Sequence, residues 1–330
     1  MFLTPSVVLF TLRILIRIFL VISSSSFILS WVGLELNTLA FIPLLLLEKN
    51  KISRESSIKY FLTQTLASLI FIFGIVCNIF MVNTILVTFI FLIRLGIKLG
   101  AAPFHSWLPS ISKSCKWLIL FTLLTIQKIN PLIVLWTLDL NNQTILHVIT
   151  ISSLVVGRLL GLIQTDTRVL LAYSSINHVG WLLVGAVLSF YLVCSYLAIY
   201  MLMLIAIILL FKEINGNSNY NLHYNRFGLT GTCALYCLLY SLGGLPPFLG
   251  FLPKWIVLQI SVRIGYYLLS LLIISIRLFT LYYYIRLGLS AFTLRIVKSN
   301  LLYTFGSTLS NTMIFLTSIS FLGLPLVFLF

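Results

Sequence analysis

The sequence predicts an all-α polytopic membrane protein, a single transmembrane domain over residues 1–330. Three observations carry this: an apolar composition, long unbroken apolar runs, and basic residues confined to alternate connections. Of the residues, 60% are hydrophobic and 8% charged, and the mean hydropathy is +1.13. Soluble domains run at roughly 45–50% apolar and ~25% charged, so these charges are too few to cover a water-soluble surface. The same composition excludes a disordered chain, which is poor in aromatics and rich in charge. A transmembrane β-barrel requires short alternating strands, whereas runs such as Leu192–Phe211 are continuous. In lipid every backbone polar group must be satisfied internally, and helices do this within one segment.

About eleven spans follow, each near the ~20 residues that cross a bilayer. They lie at 5–22, 26–47, 58–80, 84–106, 115–137, 144–163, 168–189, 192–212, 229–248, 253–286 and 308–329. The third begins soon after the most charged stretch, Glu48-Lys49-Asn50-Lys51 to Lys59. The tenth is long and holds Gly265 about a third of the way along. It reads either as one bent helix or as a short helix followed by a full one.

Connections after even-numbered spans carry Lys49, Lys51, Arg54 and Lys59, then Lys113 and Lys116, Arg168, Lys212 and Arg226, and Arg295 and Lys298. Those after odd-numbered spans hold almost no Lys or Arg, Lys254 excepted. This is the positive-inside asymmetry. It places the amino terminus on the positive side and the carboxyl terminus opposite, and one missed helix would scramble it.

The net charge of +15 would point to nucleic acid in a soluble protein, but these loops are too short for a nucleic-acid domain. The basic residues are expected to set topology and meet lipid head groups. Cys77, Cys115, Cys194, Cys233 and Cys237 form no C-x-x-C pattern and read as small buried hydrophobes. No iron–sulfur spacing and no G-x-G-x-x-G after a strand is present, so neither a cluster nor a nucleotide site is expected in this chain. No cleavable signal stands apart from the first span.

An internal repeat is visible. Gly100-Ala-Ala-Pro103-Phe104-His-Ser-Trp107-Leu108-Pro109 and Gly244-Leu-Pro-Pro247-Phe248-Leu-Gly-Phe251-Leu252-Pro253 both fit G-x-x-P-F-x-x-[aromatic]-L-P. By the loop charges the two copies fall on opposite membrane faces. An inverted-topology repeat with Pro/Gly-interrupted helices predicts this, with a first repeat over about 26–137, a second over about 168–286, and a last helix at about 308–329.

The residues that carry chemistry are ionisable groups inside the spans, where each costs several kcal/mol unless paired or hydrated. They are Glu35, Lys98, Lys128, His178 and Lys254. A lysine in a low-dielectric site holds its proton less firmly, and a nearby carboxylate firms that hold. Moving the carboxylate or wetting the site then releases a proton. Pro103, Pro131 and Pro247 free carbonyls that water can use. Together these residues read as a proton relay. The structural alternatives are an ion pair for Glu35 with Lys98, a carbonyl hydrogen bond for His178, and snorkelling for Lys254. His105 lies in the first repeat copy near the interface, and Asp139 and Asp166 read as loop residues. Arg13, Arg17, Arg94, Arg158, Arg263 and Arg277 also lie at or inside spans. Guanidinium does not deprotonate, which disqualifies them as carriers; Arg13 and Arg17, one helical turn apart, suit a partner subunit or a lipid phosphate.

Five motifs in order resemble one family: Trp31-Val-Gly-Leu-Glu35-Leu-Asn37 through Pro43, Lys98 through Pro109, Gln127-Lys128, Leu171 through Trp181, and Leu245 through Trp255. They look like the NADH dehydrogenase subunit 2 family, antiporter-like membrane subunits of mitochondrial respiratory complex I, over residues ~25–290. The resemblance implies an inverted-repeat, antiporter-like architecture with broken helices and a mitochondrial inner-membrane location, the amino terminus facing the matrix. It implies that Glu35 and Lys98 are the family's carboxylate–lysine pair, Lys128 the lysine of the central axis, His178 a histidine of that axis, and Lys254 the lysine leading to the far half-channel. It implies proton translocation as a subunit of NADH:ubiquinone reductase, with FMN, iron–sulfur clusters and ubiquinone in other subunits and none in this chain. The implied partners are the other membrane and peripheral subunits, with lipids including cardiolipin and no nucleic acid. The competing readings are a stand-alone sodium/proton antiporter and a non-conducting assembly scaffold.

Overall fold

A computed structural model of the chain describes residues 5–24, 26–47, 50–80, 83–138, 143–214, 229–296 and 318. The described residues are helical almost throughout and contain no strand. Seven of the helical segments are long and apolar enough to cross a membrane. Large apolar side chains such as Phe19, Leu62, Phe73 and Leu278 face outward, while serines, threonines and charged groups are buried. That is the reverse of a water-soluble protein and matches a lipid-facing surface.

In chain order the helices are α1 (Pro5–Ile22), α2 (Phe27–Leu45), α3 (Lys51–Ile79), α4 (Thr84–Leu99), α5 (Trp107–Ser112), α6 (Trp117–Leu124) and α7 (Ile126–Trp136). They continue with α8 (Gln143–Ile163), α9 (Thr167–Leu188), α10 (Phe190–Ile214), α11 (Leu229–Gly243), α12 (Phe251–Ile264) and α13 (Tyr267–Ile296). The first ten expected spans each have a counterpart here. The span expected at 308–329 lies, but for residue 318, outside the described residues, as do Lys49, Asp139, Arg226 and Lys298.

Three boundaries differ from expectation, and the tenth span resolves between its two readings. Helix α3 starts at Lys51 rather than 58, so Lys51, Arg54 and Lys59 are exposed helical residues, not loop. Its first two turns bury Ser53, Ser56 and Ser57 and leave the charges outside. Helix α4 stops at Leu99 because Gly100 takes a left-handed cap at φ 68°, a conformation glycine adopts without a β-carbon penalty. The fifth span, expected as one helix, is broken at Thr125, and Pro131 lies within α7. At Thr125 the backbone leaves the helical region at φ −122°, ψ −72°, while the Thr125 hydroxyl and its own N–H share the Phe121 carbonyl at 2.6 and 3.1 Å. The tenth span is a short helix followed by a full one, α12 and α13, divided at Gly265 with φ 98°.

The chain forms two compact units, Met1–Ser153 and Leu154–Phe330. In the first, α2 packs against α1, α3 and α7, and α4 against α3 and α7. In the second, α9 is buried along nearly its whole length and packs against α10 and α12, while α11 lies against α10 and α13. Gly157 lets α8 approach α9 closely: a β-carbon there would stand 2.7 Å from the Asn177 backbone nitrogen.

The two copies of the repeated motif fold alike. Each ends a helix on a left-handed glycine, Gly100 at φ 68° and Gly244 at φ 80°. Each begins the next helix at the matched aromatic residue, Trp107 in α5 and Phe251 in α12. Pro109 and Pro253 then fall within the first turn, where backbone N–H groups have no intrahelical partner and proline costs least.

Candidate functional site

In the first unit, α4 brings Lys98 to α2. Lys98 Nζ lies 3.3 Å from Glu35 Oε1, with the lysine side chain 3% and the carboxylate 21% exposed. The partners are 63 residues apart in sequence. One turn earlier on α4, Arg94 is wholly buried, with its guanidinium carbon 3.4 Å from the Phe71 ring centroid. None of its three nitrogens has a hydrogen-bond partner among the described residues. Arg94 and Lys98 thus set two buried positive groups one turn apart on α4, of which Lys98 meets the carboxylate. The sequence reading placed Arg94 inside a span but assigned it no part in this site.

Lys128, on α7 three residues past the Thr125 break, is 2% exposed. It lines a cavity that Lys98 also lines, together with Asn37, Tyr60, Gln64 and Gln127. The cavity has about 10 Å³ of room for water centres, which corresponds to roughly one water. Across it, Asn37 Nδ2 donates to Gln127 Oε1 at 2.7 Å. Sequence reasoning placed Gln127 beside Lys128 but missed Asn37, Tyr60 and Gln64 as members of the site. The available signal was polar side chains inside otherwise apolar spans.

In the second unit, His178 is 1% exposed, and its Nδ1 lies 2.8 Å from the Tyr196 hydroxyl. One partner of His178 is thus a tyrosine hydroxyl. The Tyr200 ring lies 4.6 Å from the imidazole, tilted by 36°, and Tyr283 and Tyr284 lie 4.4 Å ring to ring. All four tyrosines are buried. Arg158 Nε donates to Asn177 Oδ1 at 2.9 Å and its Nη1 to the Ile273 carbonyl at 3.3 Å. These tyrosines escaped the sequence reading because each looks like an ordinary aromatic in an apolar span.

Lys254 does not snorkel. It is 2% exposed, and Nζ donates to the carbonyls of Leu242 at 2.6 Å and Gly243 at 3.1 Å. Arg277 Nη2 donates to the next carbonyl, Gly244. Two cations therefore meet the carboxyl-terminal carbonyls of α11, where the helix dipole favours positive charge. Glycine at 244 makes this possible, since a β-carbon would stand 3.0 Å from Lys254 Nζ.

Among the other flagged groups, His105 Nδ1 lies 3.2 Å from the Pro103 carbonyl. Arg17 Nη1 donates to the Leu36 carbonyl, tying α1 to α2. Arg13 is exposed and stacks 5.5 Å from Phe10. None of the five cysteines forms a disulfide; Cys77 and Cys115 are buried, whereas Cys194 is exposed.

Apolar helices with interiors holding a carboxylate–lysine pair, two further lysines and a histidine define the class: a polytopic membrane protein built around buried ionisable groups. The family model "NADH:quinone oxidoreductase/Mrp antiporter, TM" matches residues 24–280. The NADH-ubiquinone oxidoreductase chain 2 of Anopheles gambiae is 36% identical over 330 residues, covering 96% of this chain and 96% of its own length. A chain of respiratory complex I from Thermus thermophilus superposes with a TM-score of 0.81 at 24% identity, over 96% of this chain and 77% of that one. A chain of the Mrp complex from Dietzia sp. superposes with a TM-score of 0.80 at 16% identity, over 97% and 75%. The last two establish the fold. The chain belongs to the NADH-ubiquinone oxidoreductase chain 2 family, within the NADH:quinone oxidoreductase/Mrp antiporter family.

Proposed function

We propose that this chain is a proton-translocating membrane subunit of respiratory complex I, the NADH:ubiquinone oxidoreductase. The observation that carries the reading is the Glu35–Lys98 pair lining, through Lys98, the same cavity as Lys128. A proton on Lys98 is held by the carboxylate; weakening that contact frees it towards the cavity, and Lys128 is the receiving amine. In the second unit His178, paired with Tyr196, and Lys254, resting on α11 carbonyls, are the corresponding relay groups. A buried ammonium alternates between charged and neutral forms when its hydration or its counter-charge changes.

Electron transfer belongs to other subunits on this reading: FMN, iron–sulfur clusters and ubiquinone are bound there, and this chain supplies no redox group. The chain lies in the mitochondrial inner membrane with its amino terminus in the matrix, in contact with other membrane subunits and with lipids including cardiolipin. The loop-charge asymmetry supports the orientation. The matched folding of the two motif copies supports inverted repeats over about 26–137 and 168–286. Lys128→Met in the assembled complex tests the function. Loss of proton pumping with assembly intact is the expected result; pumping at the native rate overturns it. Co-purification with flavin and iron–sulfur subunits tests the assignment to complex I.

A further inference from the structure

The Asn37–Gln127 contact leaves two atoms over. Asn37 Nδ2 donates to Gln127 Oε1 at 2.7 Å, while Asn37 Oδ1 and Gln127 Nε2 are buried without a partner among the described residues. Asn37 is 2% exposed and Gln127 9%, so neither atom is served by bulk solvent. One is an acceptor and the other a donor. Reversing both amides, which look alike in shape, leaves the same complement of one donor and one acceptor. An unmet buried polar atom costs about 1–3 kcal/mol, and this pair carries two on the wall of one small cavity. That cavity has about 10 Å³ of room for water centres and is lined by both Lys98 and Lys128, enough for about one water with several polar partners.

We infer that the Asn37–Gln127 amide pair is a positioning site for a single water that bridges Lys98 and Lys128. This inference rests on the proton-translocation reading above. An amide does not readily gain or lose a proton near neutral pH, so the pair orients the water without carrying charge. The water donates to the free amide oxygen and accepts from the free amide N–H. It receives a proton from the Lys98 ammonium as its own O–H bond to the opposite proton breaks, and that proton joins the Lys128 amine. Lys98 ends neutral, Lys128 ends charged, and the water is regenerated. The amide pair, able to reverse both members together, restores the orientation for the next transfer. Asn37 sits on the helix that carries Glu35 and Gln127 on the helix that carries Lys128, so movement between α2 and α7 opens the pair and interrupts the bridge.

The experiment uses the assembled complex in proteoliposomes. Gln127→Met keeps side-chain length and removes both amide atoms; Gln127→Glu keeps the acceptor for Asn37 Nδ2 and removes the donor to water. Both are expected to lower NADH-driven proton pumping at least about tenfold, since a mispositioned partner of ~1 Å costs up to ~10²-fold. Gln127→Glu is also expected to shift the pH profile of pumping, because a titratable group then contacts the bridging water; a purely structural pair leaves that profile unmoved. Lys128→Met is run alongside. Native pumping in Gln127→Met with loss in Lys128→Met overturns this inference and leaves the proposed function standing. Native pumping in Lys128→Met overturns the proposed function itself. If the Gln127 variants fail to assemble, a map of the native complex that resolves waters decides the matter. Density within hydrogen-bond distance of both Asn37 and Gln127 supports the site, and none there overturns it.

Discussion

Glu35 and Lys98 meet at 3.3 Å although they lie on different helices, 63 residues apart. Removing one partner of a buried pair costs about 3–5 kcal/mol because the other is left uncompensated. Glu35 retains 21% exposure, so Glu35→Gln is expected near the lower end. The loss from Glu35→Gln combined with Lys98→Met is expected to be smaller than the sum of the two single losses. Thermal melts of the three variants measure this, and additive losses would show that the pair is not energetically coupled.

Lys128 separates a carrier from a fixed charge. Lys128→Met removes a buried cation and keeps side-chain length, so assembly is expected to survive while pumping is lost. Lys128→Arg is expected to assemble and also to fail, since guanidinium does not give up its proton. Pumping rates normalised to the amount of assembled complex provide the check. Loss of assembly in both variants would favour a scaffold role.

The two left-handed glycines of the second unit make a controlled comparison. Alanine in the left-handed region costs roughly 1–2 kcal/mol. Gly265→Ala is expected to cost only that, since nothing lies within 4 Å of a β-carbon at 265. Gly244→Ala is expected to cost more, because its β-carbon would press on Lys254 at 3.0 Å and Arg277 at 3.1 Å. Unfolding of both variants in detergent ranks them; equal losses would show that the two cations move aside freely.

Tyr196→Phe removes the hydroxyl that partners His178 and keeps the ring. The expected loss is about 1–3 kcal/mol, the cost of an unmet buried polar group. The combined loss with His178→Ala is expected to be smaller than the sum of the two single losses, because both remove the same contact. A double-mutant cycle on thermal stability provides the measurement, and a coupling near zero would mean that the 2.8 Å contact contributes nothing.

Orientation is open to labelling. In a cysteine-free background, a cysteine at Ser114 is expected to react from the matrix side and one at Asn83 from the opposite side. Labelling of both from one side would invalidate the loop-charge topology.

Much of the fold was legible locally. The apolar runs placed ten helical spans now matched by described helices, and Gly265 marked the division of the tenth. A glycine's freedom is a property of one residue, so it can be read in place. The break at Thr125 was not legible, because threonine within an apolar run carries no local signal for leaving the helical region. The short α5 was missed because six residues give too little periodicity to detect.

The sequence alone determined that Glu35, Lys98, Lys128, His178 and Lys254 would be functional or structural anchors. Any ionisable group in an apolar span must be paired, solvated or lost from the bilayer. Tertiary structure alone decided the partners. Lys98 took Glu35, Asn37 took Gln127 at a separation of 90 residues, His178 took a tyrosine, and Lys254 took helix-end carbonyls rather than an acid. The reason is geometric. Hydropathy says that a residue is inside, but a hydrogen bond requires two helices in a particular rotation and depth. Those are set by how small and large side chains pack among α2, α4 and α7 in the first unit and between α9 and α12 in the second, which no single stretch of sequence contains.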